Sequence, residues 1–261
     1  MDTPRAPTRQ EILGVVEDLI RDGVRLASLS GQRFERLPEF NRQIAYLGIS
    51  VLRSLRTILL LAPHAIDDQM AVVVRGLVEG TVDMEFLAYP SPVKKNGPAV
   101  SVEDKTRLFS QFRLIELHHL QKSAFVHEQV KGLRPDEQAL LKEAQQLRRC
   151  LGIDRQPYWR GLSFTRAVSE LKQSPPDSRR TLFINLQDAY AHLSYYTHSN
   201  PNYGKTRDEF IVDMVPAFAV ISAAHAFLLW ELHLEDELPD SILEPVKRRN
   251  DYWRRIGFDC G

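Results

Sequence analysis

DDQMAVVVRGLVEGTVDMEFLAYP, from Asp67 to Pro90, is the stretch that decides the fold of this chain. It is apolar along most of its length and therefore predicts one buried helix. Arg75, Glu79 and Asp83 follow one another at intervals of four, which places them on one face of that helix. Because an unpaired charge is costly to bury, we expect polar partner groups on another helix.

The composition describes a globular chain without an overall charge bias. Of its 261 residues 43% are hydrophobic, and 34 basic residues balance 34 acidic ones. This length suits one large helical domain, and the balance gives no general attraction to nucleic acid or membranes. Cys150 and Cys260 form no paired motif, which excludes a disulfide-rich or zinc-ribbon protein. The polar start lacks the apolar core of a signal peptide and indicates a cytoplasmic protein of bacterial type.

Helix signals recur along the chain, whereas strand signals hardly appear. Thr8 and Glu11 form a capping box before the first helix, and Ser101 can cap the fourth. Between them, the segment 90–101 holds three prolines and a glycine and predicts a loop. We therefore predict an all-α fold, a single large helical bundle of eight or nine helices with no sheet.

One domain is predicted over residues 1–261. Its parts are an N-terminal helix (8–38), a helical core (39–236) and a C-terminal basic helix (237–261). Met214–Trp230 contains no acidic residue, lysine or arginine. It is shorter than the roughly 20 apolar residues of a membrane span. We predict that it is the central core helix and that a membrane is not a partner.

A second polar stripe lies on the helix predicted from 176 to 197. The stripe consists of Asn185, Asp188, His192 and Tyr195. Asp188 lies one turn before His192 and can accept its ring N–H, as an orienting carboxylate does for a catalytic histidine. We expect this stripe to face the charged stripe of 67–90 and to form one polar cluster inside the bundle.

The two stripes together define the candidate site. If the chain is an enzyme, the catalytic residues are His192, Glu79 and Arg75. The ligand-binding candidates are Asp83, Asp188, Ser194, Tyr195 and His198. The alternative is a structural network of buried ion pairs and tyrosines that fixes the helix register without chemistry.

Three short motifs resemble a known family. They are Arg75-x-x-x-Glu79, Trp159-Arg-Gly-Leu-Ser163 and His192-Leu-Ser194-Tyr-Tyr-Thr-His198. The pattern resembles the bacterial domain-of-unknown-function family numbered fifty-six seventy-seven, over roughly Ile44 to Leu232. The resemblance implies a helical protein in which Arg75, Glu79, His192, Ser194 and His198 recur together. It implies no particular activity.

A metal site is not predicted from the sequence. Carboxylate-bridged bundles use a Glu-x-x-His motif on each of two helices. Here that spacing occurs once, between Glu116 and His119. We therefore predict no metal and no cofactor.

A ribonuclease is the alternative enzyme class. Some helical toxin and defence nucleases place an arginine a few residues before a histidine, and Arg113 has that spacing to His118 and to His119. With eight histidines in the chain such pairs are expected by chance. Leu114 also stands where these nucleases place a polar residue, so the spacing is no evidence by itself.

KRRNDYWRR, residues 247–255, is the most basic segment of the chain. Basic and aromatic side chains together suit phosphate contact and base stacking. The candidate nucleic-acid contacts are Lys247, Arg248, Arg249, Trp253 and Arg254. The alternative is a final helix whose aromatic side chains dock on the body of the protein.

The sequence favours a cytosolic binding or effector module whose polar cluster receives a small ligand or a group of a protein partner. The alternative is a metal-independent hydrolase or ribonuclease of toxin or defence type. In that case His192 is the general acid/base and Arg75 stabilises an anion. A structural scaffold with a sealed polar network is the second alternative. We also predict a homo-oligomer, because the helices are apolar over wide arcs.

Overall fold

The computed structural model describes residues 7–64, 67–121, 133–173, 180–197, 209–234 and 239–257. Over these residues it contains nine α-helices and one pair of short strands. The helices are α1 (Arg9–Arg33), α2 (Glu39–Leu61), α3 (Asp67–Ala88), α4 (Val102–Gln121), α5 (Pro135–Cys150), α6 (Phe164–Leu171), α7 (Arg180–Thr197), α8 (Glu209–Leu232) and α9 (Pro239–Arg255). The strands are β1 (Ser91–Pro92) and β2 (Ala99–Val100). The all-α prediction is confirmed, apart from this one hairpin where no sheet was expected.

Two predicted helix starts have the expected caps. The Thr8 side chain accepts from the backbone N–H of Glu11, and the Glu11 carboxylate accepts from the backbone N–H of Thr8 at 2.7 Å. Ser101 Oγ accepts from the N–H of Asp104 at 3.1 Å. Local capping signals therefore place these ends correctly.

The hairpin occupies the segment that was predicted to be a loop. The antiparallel pairs are Ser91 with Val100 and Pro92 with Ala99. In the turn the N–H of Gly97 donates to the carbonyl of Lys94 at 3.0 Å. Asn96 has a φ of 56°, in the left-handed region that asparagine tolerates better than most residues. The turn signals were correct, but pairs of two residues leave no strand pattern in the sequence.

The chain divides into two compact units. The first contains residues 1–85 and 176–261, and the second contains residues 86–175. The organisation as one domain over 1–261 stays a prediction.

Helix α8 is the core of the first unit, where it packs against α1, α2, α7 and α9. Trp230 is fully buried, and its indole N–H donates to Ser30 Oγ at 2.9 Å. A Cβ atom at Gly48 would lie 2.3 Å from the Trp230 ring. Only glycine therefore allows α2 to approach α8 this closely.

Two helices in the described ranges are long and apolar enough to cross a membrane. One is α2 with its following turn, Glu39–His64, and the other is the Met214–Leu232 part of α8. Their burial differs, since 89% of the α8 window is buried within the protein but only 44% of the α2 window. The high burial of α8 agrees with the prediction that Met214–Trp230 is the central core helix.

The second unit contains α4, α5, α6 and the hairpin, with α4 along α5 and α6 against β1. Trp159 meets the rings of Phe86 and Phe109 edge-on, at centroid distances of 5.7 and 5.0 Å. Gly161 has a φ of 71°, and a Cβ atom there would lie 2.4 Å from the carbonyl oxygen of Val93. The glycine of the Trp159–Ser163 motif is thus required by the backbone.

Two buried cations hold backbone carbonyls in the second unit. Lys105 Nζ donates to the carbonyls of Phe86 and Tyr89, at the C-terminal end of α3, and to Ser91 Oγ at 2.9 Å. Burial lowers the pKa of Lys105 to about 7. Arg148 donates to four carbonyls of the segment after α5, those of Ile153, Gln156, Tyr158 and Trp159. Lys105 thus caps the C-terminal end of α3, and Arg148 orders the irregular segment after α5.

Candidate functional site

Arg75 links α3 to α7. Its Nη2 donates to Tyr190 Oη at 2.8 Å, and its Nε donates to Glu79 Oε1 at 3.3 Å. The guanidinium carbon lies 4.8 Å from the centroid of the Tyr190 ring, within the range of a cation–π contact. The charged stripe of α3 therefore has the partner on another helix that the sequence required.

The charged stripe is more exposed than expected. The side chain of Arg75 is 23% exposed and that of Glu79 is 39% exposed. Asp83 is half-buried. At Gly76, next to Arg75, an added Cβ would meet no atom within 4 Å. The prediction of a buried stripe is wrong, because this side of α3 borders solvent.

Tyr190 supplies the contact that was predicted for other residues of α7. Burial raises the pKa of Tyr190, and the Glu79 carboxylate raises it further. The phenol is thus protonated at neutral pH, accepting from Arg75 and hydrogen-bonding to Glu79. The available signal was a tyrosine among the leucines of α7, since a phenol hydroxyl near the core needs a partner.

Asp188 and His192 lie on a different side of α7 from Tyr190. Each is two positions from Tyr190, a rotation of about 200° around the helix axis. Both side chains are exposed, and no hydrogen bond joins them among the described residues. The prediction that Asp188 orients the His192 ring is therefore wrong, and His192 does not join Arg75 and Glu79 in one cluster.

The remaining predicted residues of α7 have different positions. Ser194 is half-buried, and its hydroxyl donates to the carbonyl of Tyr190 at 2.7 Å, one turn earlier in the same helix. Asn185 is half-buried. The side chain of Tyr195 and the whole of His198 lie outside the described residues, so their part in the site stays a prediction.

The most deeply buried acidic side chain on α3 is that of Glu85, which was not predicted from the sequence. The Glu85 side chain is 0% exposed, and its carboxylate is hydrogen-bonded to Nε2 of His225 on α8, which is 2% exposed. One turn earlier on α3, Thr81 Oγ1 donates to the carbonyl of Ser222 at 3.1 Å. These contacts form a buried polar seam between α3 and α8. The signal for it was a histidine within the most apolar helix, which requires a polar partner.

The C-terminal helix α9 packs against α1 and α8 within the first unit. Arg248 on α9 lies 3.4 Å from Asp22 of α1 and 2.9 Å from Glu231 of α8. Glu231 also accepts from Arg25, and Asp22 accepts from the hydroxyl of Tyr252. Burial raises the pKa of Tyr252, as does its hydrogen bond to Asp22. Arg248 is therefore engaged in holding three helices together.

The other candidate nucleic-acid residues make local contacts. The guanidinium of Arg249 lies 4.7 Å from the ring centroid of Trp253, and Arg254 lies 3.5 Å from Asp251. Lys247 is exposed. These contacts agree with the docked-helix alternative, and nucleic-acid binding by this segment stays a prediction.

Arg75 lines neither of the two cavities found among the described residues. An open one of about 300 Å³ lies between α1 and α9 and is lined by Asp18, Arg21, Asp22, Arg248, Asp251, Tyr252 and Arg255. In its wall Asp18 is paired with Arg21 and with Arg255. The other, of about 180 Å³, belongs to the second unit and is lined by Ile115, Gln145, Arg148, Arg149 and Asp154. The predicted catalytic residues line neither of them.

The described residues contain no group of three or more histidine, cysteine or acidic side chains that could hold a metal ion. Of the spacings weighed from the sequence, Glu116 and Arg113 are exposed and His118 is half-buried. The side chain of His119 lies outside the described residues. The Glu116–His119 spacing therefore falls partly outside the described residues, and the nuclease spacing stays untested at His119.

No family model matches this chain, and no curated protein or solved structure was found to be similar to it. The resemblance to the helical bacterial family stays a prediction. Function must therefore be inferred from the residues of this chain alone.

Proposed function

We propose that the chain is a binding or effector module in which the Arg75–Glu79–Tyr190 cluster receives an anionic group of a small ligand or of a protein partner. The observation that carries the proposal is the exposure of Arg75. Its guanidinium is held in one orientation by Tyr190 and Glu79, yet 23% of the side chain is accessible. An oriented and accessible guanidinium is a ready contact for a carboxylate or phosphate.

Glu79 is the group that a bound anion would displace from Arg75. Its contact to Arg75 is 3.3 Å long, and 39% of its side chain is exposed. An exposed pair of this kind contributes little to stability, typically about 0–1 kcal/mol. An incoming anion can therefore replace the Glu79 carboxylate while that carboxylate turns to water. Tyr190 keeps the guanidinium in place during the exchange, because it contacts Arg75 through both its hydroxyl and its ring.

The position of His192 favours binding over hydrolysis. A general acid or base must come within hydrogen-bond distance of the group on which it acts. His192 and Asp188 lie on the other side of α7 from the Tyr190 contact, and both side chains are exposed. A group bound at Arg75 is therefore not placed against them.

Native mass spectrometry of the chain purified from its host tests the proposal. The wild-type chain is expected to retain an additional mass that Arg75→Ala loses. Glu79→Gln should retain it at least as well, because the competing negative charge is gone. Arg107→Ala is the matched control, since Arg107 is an exposed arginine that also pairs with a glutamate four residues away in its own helix.

Two results would contradict this function. One is a wild-type chain that retains nothing besides solvent ions. The other is a retained mass that Arg75→Ala and Arg107→Ala affect equally. In either case the cluster is a contact that fixes α3 against α7.

A further inference from the structure

The exposed face of α2 carries a straight stripe of apolar and basic side chains. Tyr46, Ile49, Arg53, Arg56 and Leu60 follow one another at alternating intervals of three and four, which keeps them on one side of the helix. Tyr46 is 61% exposed and Leu60 is 72% exposed, among the most exposed large apolar residues in the described part of the chain. From Tyr46 to Leu60 the stripe is about 21 Å long.

The opposite side of α2 fixes the direction in which this stripe points. Ile44, Leu55 and Ile58 are fully buried, and the helix packs against α1 and α8. Because Gly48 lies against the ring of Trp230, a rotation of α2 would disrupt the core. The stripe is therefore held outward.

The centre of the stripe is positively charged. Arg53 and Arg56 are both exposed, and neither has an ion-pair partner among the described residues. The only acidic residue in the sequence of α2 is Glu39, and it pairs with Arg42 near the start of the helix. The surface around the two arginines thus complements a negatively charged partner.

We propose that this face of α2 docks on an anionic membrane surface, with the helix lying parallel to the surface. Tyr46, Ile49 and Leu60 would enter the boundary between headgroups and acyl chains, as in interfacial amphipathic helices. Arg53 and Arg56 would extend to the lipid phosphates and stay hydrated. The sequence predicted no membrane partner. The proposal concerns a helix that lies on a bilayer, while the spanning-length segment of α8 is buried in the protein.

Other partners fit the stripe less well. A second copy paired through the same stripe in equal register would bring arginines of one copy against arginines of the other, in parallel or antiparallel orientation, and like charges repel. A partner helix of another protein would bury both guanidinium groups at the centre of its contact, where desolvation is costly. Nucleic acid would meet the arginines but offers no apolar environment to Leu60. A lipid surface accommodates the charged centre and the apolar ends together.

Co-flotation with vesicles tests the proposal on the full chain. We expect the protein to float with vesicles that contain equal amounts of phosphatidylglycerol and phosphatidylcholine, and not with pure phosphatidylcholine. Each arginine near an anionic surface contributes roughly a fivefold gain in partitioning, so Arg53→Gln with Arg56→Gln should weaken binding roughly 25-fold. Leu60→Ser should weaken it roughly tenfold through the lost apolar contact.

The matched control is Arg155→Gln with Arg166→Gln, which removes two exposed arginines of the second unit. It should bind like the wild type, and circular dichroism should show all variants equally helical. Equal loss in both double variants would overturn the proposal, because only general charge would matter. Binding to neither vesicle type, or equal binding to both, would also overturn it. A wild-type dimer in sedimentation that dissociates in Leu60→Ser would also overturn it, because the stripe would then be a contact between two copies of the chain.

Discussion

In the first unit Arg25 and Arg248 donate to the carboxylate of Glu231, whereas in the second unit Lys105 and Arg148 donate to main-chain carbonyls. The carboxylate contact joins side chains of three helices, and both arginines keep contact with water, with 39% and 30% of their side chains exposed. Both residues of the second unit are buried: Lys105 holds the end of α3, and Arg148 holds the irregular segment after α5. When an ion pair with partly exposed arginines is removed, water can replace some of the lost hydrogen bonds. Water cannot reach buried carbonyls, so their lost hydrogen bonds are not replaced.

The largest effect is expected from removing the guanidinium of Arg148. Arg148 is 3% exposed and donates to four carbonyls. We expect Arg148→Met to lower the free energy of unfolding by about 3–5 kcal/mol, since it orphans several buried acceptors at once. Urea denaturation followed by circular dichroism measures this. Arg149→Met, at the exposed neighbouring position, should stay within about 0.5 kcal/mol of wild type. Equal losses in both variants would contradict the role of the carbonyl contacts.

Lys105 should make the stability of the protein depend on pH. Its pKa is about 7 in the folded protein against an ordinary value of 10.5, so the unfolded chain binds more protons between these values. Stability should therefore rise with pH in this window, by at most roughly 1.4 kcal/mol per pH unit. Urea denaturation at about pH 7 and about pH 9 measures the slope. In Lys105→Met this contribution should vanish, and an unchanged slope in that variant would assign the effect to other groups.

A smaller effect is expected in the first unit from Glu231→Gln. The glutamine keeps one acceptor, and Arg25 and Arg248 can turn to water because both are partly exposed. We expect a loss of about 1–2 kcal/mol in the free energy of unfolding. Denaturation by urea under the same conditions as for Arg148→Met gives a direct comparison. A loss as large as that of Arg148→Met would remove the difference between the two units.

The smallest effect is expected from Glu79→Ala on α3. The Glu79 side chain is 39% exposed, so its pair with Arg75 should contribute less than about 1 kcal/mol. The shift in thermal midpoint should therefore be close to that of Glu103→Ala, which removes the exposed partner of Arg107 on α4. A shift clearly larger than that of Glu103→Ala would mean that the pair with Glu79 contributes substantially to stability by neutralising the partly buried Arg75.

The helices could be predicted because their signals are local. The capping box of Thr8 and Glu11, the cap at Ser101 and the start of α5 at Pro135 depend on neighbours within one turn. The composition of α8 was sufficient to place it in the core. In each case the physical cause lies within the segment itself.

The candidate site could be predicted only in part, because it depends on which side of each helix faces another. The pairing of Arg75 with Glu79 follows from a spacing of four. On α7, however, the stripe with His192 and the side with Tyr190 are both regular, and the sequence does not show which one meets α3. On α3, Glu85 is buried although the more regular stripe is not. Tertiary packing determines which side of each helix is buried, and on α3 the hydrogen bond between His225 and Glu85 accompanies the buried side.

The aromatic cores described above give the protein its own optical probes. The sequence contains three tryptophans. Trp230 is sealed in the first unit between α2 and Ser30, Trp159 is enclosed by phenylalanines in the second, and Trp253 is partly exposed on α9. Replacing Trp253 with phenylalanine leaves one buried indole in each unit. A second substitution, of Trp159 or of Trp230, then leaves a single tryptophan. Its fluorescence reports the unfolding of one unit, so the two units can be followed separately without an added dye.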